Sequence, residues 1–333
     1  MTFEEQQFKS NIEFNLKTKT KTQVNNLVNS KPPEWLYPLA KEKSFKSVAE
    51  RTILTPLRQT ANMWLDMNLR RVILEDGIYL DDLNDDLEDL ERELNSDMDK
   101  IFNPDNPEDS SVWNLLLGVA GGIYLFNEKQ WNKQTERLTG IMFSTDETWW
   151  PEVEKSFVRE NYNRFKGLKD ESINRISEIV SRGRRNGMSL GDIREEIRKT
   201  FQTYTDNRIK FWARDQTGKL NGLISEMRMT EVGMDLYTWR TVSDERVRGR
   251  PGGKYPKAIP SHWEMEGMIC KFSDSFVYAI PGVDTDENGN VISWRTRTSK
   301  MPKVRPGEDY QCRCTAIPYM PAFLNNIGGN NGN

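Results

Sequence analysis

The chain has 333 residues, enough for two or three domains of ordinary size. Apolar residues make up 36% and charged residues 29%, with ten tryptophans, a composition that excludes a disordered chain and a membrane protein. The net charge of −3 is unevenly distributed, because residues 81–109 hold thirteen acidic side chains against Arg92 and Lys100, which leaves the rest at about +8. The first residues lack the basic and apolar regions of a signal peptide. We therefore expect the protein to be in the cytoplasm after synthesis, where its thiols stay reduced.

The first 110 residues predict an arm followed by helices. Residues 1–50 mix short helical patterns with KTKTKT and the helix-breaking NSKPPEW, which favours a tethered arm. Thr55 and Pro56 then offer an N-cap and a first-turn proline, which predicts a helix to about Glu75. Its apolar residues recur at helical spacing: Leu57, Ala61, Leu65, Leu69 and Val72.

The acidic segment carries a leucine seam. Its flanking acids would repel an identical parallel partner, so an amphipathic core helix against a basic neighbour is favoured over a coiled coil. The seam consists of Leu80, Leu83, Leu87, Leu90 and Leu94, extended by Met98 and Ile101.

The most apolar run is VWNLLLGVAGGIYLF at residues 112–126. Fifteen residues fall short of a bilayer span, so a buried helix is favoured over membrane insertion. Gly118 and Gly122 are four apart, a spacing that predicts a close helix crossing.

Residues 152–233 are again helical in pattern, and strands follow. Gly187 can end one helix and Ser189 can cap the next, which predicts a helical hairpin. After Gly233 the segments LYTWRTV, FVYAI and VISWRTR indicate strands. We therefore predict an α+β fold, mostly α-helical in its N-terminal and middle regions, with a small C-terminal α+β domain. The predicted domains are residues 1–110, 111–235 and 236–333.

Cysteine and histidine are rare in this chain and are candidate metal ligands. The chain has one histidine and three cysteines, so His262, Cys270, Cys312 and Cys314 could together supply the four ligands of a structural zinc ion. A buried reduced thiol pair and an exposed redox pair are the alternatives. No cofactor other than zinc is indicated.

The segment SHWEMEG offers an enzymatic alternative. A His-x-Glu followed by cysteines is similar to zinc-dependent nucleobase deaminases, in which the glutamate, here Glu264, moves protons. Those enzymes use Pro-Cys-x-x-Cys, whereas this chain has Gln-Cys-Arg-Cys. The sequence shows no complete set of catalytic residues, so we expect that the protein is not an enzyme. The alternative is a zinc-dependent enzyme that acts on nucleic acid.

Two basic stretches, residues 240–260 and 295–313, are typical of a solvated charged face, and contact with nucleic-acid phosphates is the alternative. Candidate phosphate-binding residues are Arg246, Arg248, Arg250, Lys254, Lys257, Arg295, Arg297, Lys300 and Lys303.

Several weak motifs follow one another in residues 175–318. A helix with Ala-Arg-Asp precedes the WRTVSDERVRGR strand and turn, then SHWEMEG, then QCRCT. This arrangement resembles the C-terminal domain of phage head morphogenesis proteins, minor capsid proteins similar to the F protein of phage Mu. The family pattern falls on Arg214, Trp239, Asp244, Arg246, Arg248, His262, Gly267, Cys312, Arg313 and Cys314.

The resemblance implies a non-enzymatic virion protein, present in few copies, that joins the procapsid in the host cytoplasm and lies inside the head near the portal. Expected partners are portal protein, major capsid or scaffold protein, and packaged double-stranded DNA, without stable membrane association. We also expect Asp244 to accept hydrogen bonds from Arg246 or Arg313 and, with His262, to link the turn after Trp239 to the cysteine segment.

Overall fold

The computed structural model describes residues 2–20, 23, 35–72, 80–140 and 145–320. Its helices are α1 (Phe3–Lys17), α2 (Leu39–Ala49), α3 (Thr55–Val72), α4 (Leu80–Phe102), α5 (Ser111–Thr139), α6 (Trp150–Arg185), α7 (Leu190–Tyr204) and α8 (Lys210–Glu231). The strands are β1 (Leu236–Arg240), β2 (Ile269–Lys271), β3 (Asp274–Ala279), β4 (Arg295–Thr296) and β5 (Thr315–Pro318). The predicted fold class is confirmed: a helical body precedes a small C-terminal α+β region.

The chain forms two compact units, each built from separated segments. Unit 1 comprises Met1–Leu39, Gly122–Trp150 and Arg214–Asn333, and unit 2 comprises Ala40–Gly121 and Pro151–Ala213. The predicted domains 1–110, 111–235 and 236–333 follow chain order, whereas these units do not. The reason is that boundaries between the units fall within α5 and α8.

In unit 2, α3 continues an existing helix. A π-helical turn, Glu50–Leu54, joins α2 to α3, and the Thr55 hydroxyl donates to the Glu50 carbonyl at 3.1 Å. Thr55 therefore lies in continuous helical backbone and does not act as an N-cap, which corrects the expected cap. Leu57, Ala61 and Leu65 are buried as predicted. The side chains of Leu69 and Val72, and residues 73–79 with Glu75, lie outside the described residues.

The acidic helix α4 buries its apolar stripe in unit 2. Leu90, Leu94, Met98 and Phe102 are all buried, whereas Leu87 and Ile101 are only partly buried. The side chains of Leu80 and Leu83 lie outside the described residues. A basic neighbour is present, because Lys169 Nζ lies 3.3 Å from Asn95 Oδ1 and 3.9 Å from Asp99 Oδ1.

The apolar run lies in α5, which extends to Thr139. Its buried residues include Val112, Leu116, Ala120 and Ile123. A Cβ added at Gly118 would meet no atom within 4 Å, so the predicted close crossing is wrong at this position. None of the helices among the described residues has both the length and the hydropathy needed to cross a membrane.

The helical hairpin between α6 and α7 is confirmed. Gly187 adopts φ +63°, a left-handed conformation that ends α6, and the Met188 N–H donates to the Gly183 carbonyl at 2.9 Å. Ser189 Oγ then accepts the Asp192 N–H at 3.2 Å, as an N-cap should.

Unit 1 is built around an antiparallel sheet with the strand order β4-β3-β2-β1-β5. Trp239 of β1 pairs with Ala316 of β5, and Tyr237 pairs with Cys270 of β2. Phe8 of α1 and Trp131 of α5 belong to the same buried cluster and stack with ring centroids 6.2 Å apart. Burial of such large aromatic side chains adds apolar contact area to this cluster.

A buried ion pair adds to this core. Arg228 of α8 is fully buried, and its Nη2 donates to Glu147 Oε2 at 2.9 Å. Arg228 Nη1 also donates to Asn127 Oδ1 at 2.9 Å. The charge in α8 is thus paired and hydrogen-bonded, as a buried charge must be.

Candidate functional site

The loop at residues 306–312 lies directly on α8. A Cβ on Gly218 would overlap the Cys312 carbonyl oxygen, and a Cβ on Gly222 would overlap the Pro306 carbonyl oxygen. Gly307, at φ +89°, lies against the Gly218 carbonyl from the other side. The loop is also held by hydrogen bonds, since the Gln311 N–H donates to Asp215 Oδ1 at 3.0 Å. Because Gly218 and Gly222 have no side chains, the backbone before Cys312 can pack directly on α8.

The two cysteines follow this loop and precede β5. Cys312 Sγ accepts the Gly307 N–H at 3.4 Å and the Cys314 N–H at 3.3 Å, so the backbone folds around that sulfur. Cys312 and Cys314 are only 3% and 6% exposed. The interpretation as an exposed redox pair is therefore wrong.

His262 reaches the cysteines from the connection between β1 and β2. The neighbouring Trp263 N–H donates to the Arg248 carbonyl at 3.0 Å, and the imidazole meets the edge of the Trp239 ring at 5.7 Å between centroids. His262 Nδ1 lies 3.4 Å from the Sγ atoms of both Cys312 and Cys314. The three ligand atoms lie within 4.8 Å of one another, and all three residues are buried.

A carboxylate orients the other side of the imidazole. His262 Nε2 lies 2.8 Å from Asp309 Oδ2, and Arg248 Nη2 lies 2.6 Å from both of these atoms. Because arginine only donates and a carboxylate only accepts, Asp309 is the group that can accept from both Arg248 and His262. Asp309 thus holds the imidazole at its Nε2 edge, and Nδ1 faces the two thiols.

The electrostatics of these groups are linked. Burial raises the pKa of Asp309, but the hydrogen bond with His262 and the Arg248 charge outweigh it and lower the pKa to about 2. Burial lowers the pKa of His262, yet the Cys312 charge and the Asp309 hydrogen bond raise it overall. The carboxylate is thus ionised at neutral pH and favours a proton on the imidazole.

The two thiols differ in acidity. Burial alone would raise the pKa of Cys312, but its hydrogen bond with Cys314 and the nearby His262 charge hold the pKa well below its ordinary value. Burial raises the pKa of Cys314, and its hydrogen bond with Cys312 raises it further. The site therefore stabilises thiolate character on Cys312 first.

A cavity of about 240 Å³ opens beside this cluster. Eight of the ten residues of the family pattern line it: Arg214, Asp244, Arg246, Arg248, His262, Cys312, Arg313 and Cys314. The other two are adjacent, because Trp239 contacts His262 and the Gly267 N–H donates to the Trp239 carbonyl at 2.8 Å. Residues scattered over a hundred positions of sequence thus meet at one place.

Comparison with known proteins matches this part of the chain. Residues 174–317 match the family model described as "Phage Mu protein F like protein". This segment is therefore similar to the Mu F-like family. The matched residues run from within α6 into β5 and include the whole cavity lining.

A relative matches part of the chain too. A protein of Haemophilus influenzae described as "Uncharacterized protein" is 30% identical over 160 residues, which is 48% of this chain. The match covers 28% of that relative, so this chain matches about a quarter of its length. No solved structure matches the chain.

Within the Mu F-like segment, Asp244 makes the expected link to Arg313 of the cysteine segment, but it is not a buried charge and does not join His262. Asp244 accepts the Arg246 backbone N–H at 2.9 Å and caps the local turn, while Arg313 Nη1 lies 3.4 Å from its carboxylate. Its side chain is 38% exposed, so it is not a buried charge. The carboxylate that joins His262 is Asp309, which sequence reasoning missed although it lies three residues before Cys312.

Two other candidates do not join the cluster. Cys270 is buried on β2 and is not part of the His262, Cys312 and Cys314 group, which removes the expected fourth zinc ligand. Glu264 is exposed and does not line the cavity. The deaminase-like arrangement requires a glutamate beside the metal ligands, and Glu264 does not provide it here.

The basic candidates fall into two groups. Arg297 is 2% exposed and donates to the Pro302 and Val304 carbonyls at 2.7 and 2.9 Å, so its assignment as a phosphate contact is wrong. Arg248 contacts Asp309, Arg295 pairs with Asp284, and the partly buried Arg250 donates to the Ser243 carbonyl. The candidates with exposed side chains outside these contacts are Arg246, Lys254, Lys257, Lys300 and Lys303.

Proposed function

We propose that this protein is a phage minor head protein that acts in procapsid assembly by binding other head components. The observation that carries the proposal is the Mu F-like match over residues 174–317, since the family is one of phage head morphogenesis proteins. The cavity residues support it, because they join α8, β1 and β5. The protein would lie in the virion, inside the head.

The proposed partners are the portal protein and the major capsid or scaffold protein. Unit 2 presents the acidic faces of α4, with Glu88, Asp89 and Glu93 exposed. Such a face suits a basic surface on a partner, and charge complementarity would speed and orient the encounter.

Co-expression tests this proposal. The tagged chain is expressed with the portal and capsid proteins of the same prophage or phage genome, and the assemblies are separated by size. We expect the chain to co-elute with a portal oligomer or procapsid. A chain that elutes alone at every salt concentration would contradict the proposal.

A charge-reversal variant sharpens the same experiment. Replacing Glu88, Asp89 and Glu93 by lysine should reduce co-elution, whereas the matched reversal of the exposed Glu136, Asp146 and Glu287 outside α4 should not. Equal effects of both variants would show that α4 is not the binding face.

Contact with packaged double-stranded DNA is the proposed additional interaction. The exposed cations at Arg246, Lys254, Lys257, Lys300 and Lys303 support it. Each phosphate contact steepens the dependence of log affinity on log salt by about 0.9. Replacing Lys254, Lys257 and Lys300 by glutamine should flatten this slope relative to a Lys43→Gln control, and an unchanged slope would contradict the interaction.

A further inference from the structure

The unexplained feature of the cavity is that one imidazole nitrogen lies equally close to two thiols. His262 Nδ1 is 3.4 Å from Cys312 Sγ and 3.4 Å from Cys314 Sγ. Nδ1 carries either one proton or one lone pair, so it forms one linear hydrogen bond at a time. A hydrogen bond therefore explains one of the two distances but not both.

A tetrahedral metal ion explains both distances. Zinc binds nitrogen at about 2.0–2.1 Å and thiolate at about 2.3 Å, and a tetrahedral angle then separates nitrogen from sulfur by about 3.6 Å. The observed separations of 3.4 Å are close to this value. Both nitrogen–sulfur distances are thus close to those expected around one ion.

The surroundings have the features of a built metal site. Asp309 holds the imidazole through Nε2, the carboxylate–histidine arrangement that orients zinc ligands in proteins. The Gly307 and Cys314 N–H groups donate to Cys312 Sγ and would stabilise its thiolate. These contacts fix the ligands before any ion arrives.

We propose that His262, Cys312 and Cys314 bind a Zn²⁺ ion through Nδ1 and the two sulfur atoms. One imidazole and two thiolates form a soft donor set that suits Zn²⁺ and not Mg²⁺ or Ca²⁺. Three protein ligands leave the fourth tetrahedral position to water or to a donor from a partner. The ion would tie the β1–β2 connection, which carries His262, to the segment before β5.

Metal content of the full chain tests the proposal. The chain is purified without chelator, loaded with Zn²⁺, desalted and measured by plasma mass spectrometry. We expect about one zinc per chain, and at least a tenfold loss in Cys312→Ser and Cys314→Ser. The matched control Cys270→Ser removes a buried thiol outside the cluster and should keep the ion.

Two results would overturn the proposal. One is a zinc content of the loaded wild-type chain far below one per chain, which would indicate only a hydrogen-bonded thiol pair. The other is equal zinc content in all four proteins, which would place the ion elsewhere.

A spectroscopic readout covers the case in which a cysteine variant does not fold. Cobalt titrated into the wild-type chain should give thiolate-to-cobalt charge-transfer bands and the intense visible bands of a tetrahedral ion. Their absence would overturn the proposal without any variant.

The role of Asp309 provides a graded test. Asp309→Asn should weaken zinc affinity by about 10–100-fold, measured against a chelating indicator, while the cobalt bands persist. Unchanged affinity would contradict the assigned orientation of the imidazole.

Discussion

Helices α5 and α8 carry the same glycine spacing but use it differently. Gly118 and Gly122 of α5 lie in the most apolar run, where the sequence favours a close crossing, yet Gly118 is exposed and faces open space. Gly218 and Gly222 of α8 lie in an ordinary amphipathic pattern, yet backbone atoms of the 306–312 loop pack directly on them. Glycines spaced four apart therefore allow a close backbone contact on a helix, but the contact forms only where another segment packs against them.

The largest effect is expected at Gly218. In Gly218→Ala the new methyl group would overlap the Cys312 carbonyl oxygen, a backbone atom that cannot rotate away. Overpacking of this kind costs about 1–3 kcal/mol, more than the ~0.5–1 kcal/mol that alanine gains over glycine in a helix. Calorimetry should show a lower unfolding temperature for unit 1, and an unchanged temperature would show that the loop yields easily.

A smaller effect of opposite sign is expected at Gly118. In Gly118→Ala the methyl group meets no atom within 4 Å on an exposed helix position. The variant should be more stable by about 0.5–1 kcal/mol, because alanine loses less backbone entropy than glycine. Urea unfolding followed by circular dichroism measures this gain, and a loss of stability would reveal a contact at that position.

The smallest net change is expected at Gly183, where a side chain rather than the backbone is in the way. In Gly183→Ala the methyl group would lie 2.6 Å from Ile193 Cγ1, and that side chain can shift at a cost of about 0.5–1.5 kcal/mol. The gain in helix propensity offsets much of this cost. A loss as large as that in Gly218→Ala would contradict the distinction between side-chain and backbone contacts.

The sequence predicted those parts of the molecule that depend on local chemistry. The hairpin at Gly187 and Ser189 follows from capping rules, and both residues act as expected. The rarity of cysteine and histidine singled out His262, Cys312 and Cys314, which the structure brings together.

The predictions that are wrong concern contacts between residues that are far apart in the sequence. Asp244 and Asp309 are both acidic residues near motif arginines, and only the tertiary fold determines that Asp309 meets His262. Arg297 lies in a basic stretch, as a phosphate contact would, but residues 302–304 fold back over it and accept its hydrogen bonds through their backbone carbonyls. Each outcome depends on which segment folds back, and no local spacing encodes that.

Hydrogen exchange tests the central claim that α8 holds the 306–312 loop and its cysteines through Gly218. Exchange of the loop amides is measured by mass spectrometry in the wild-type, Gly218→Ala and Gly118→Ala chains. We predict faster exchange of residues 306–312 in Gly218→Ala and wild-type protection in Gly118→Ala. Equal protection in all three chains would contradict the account.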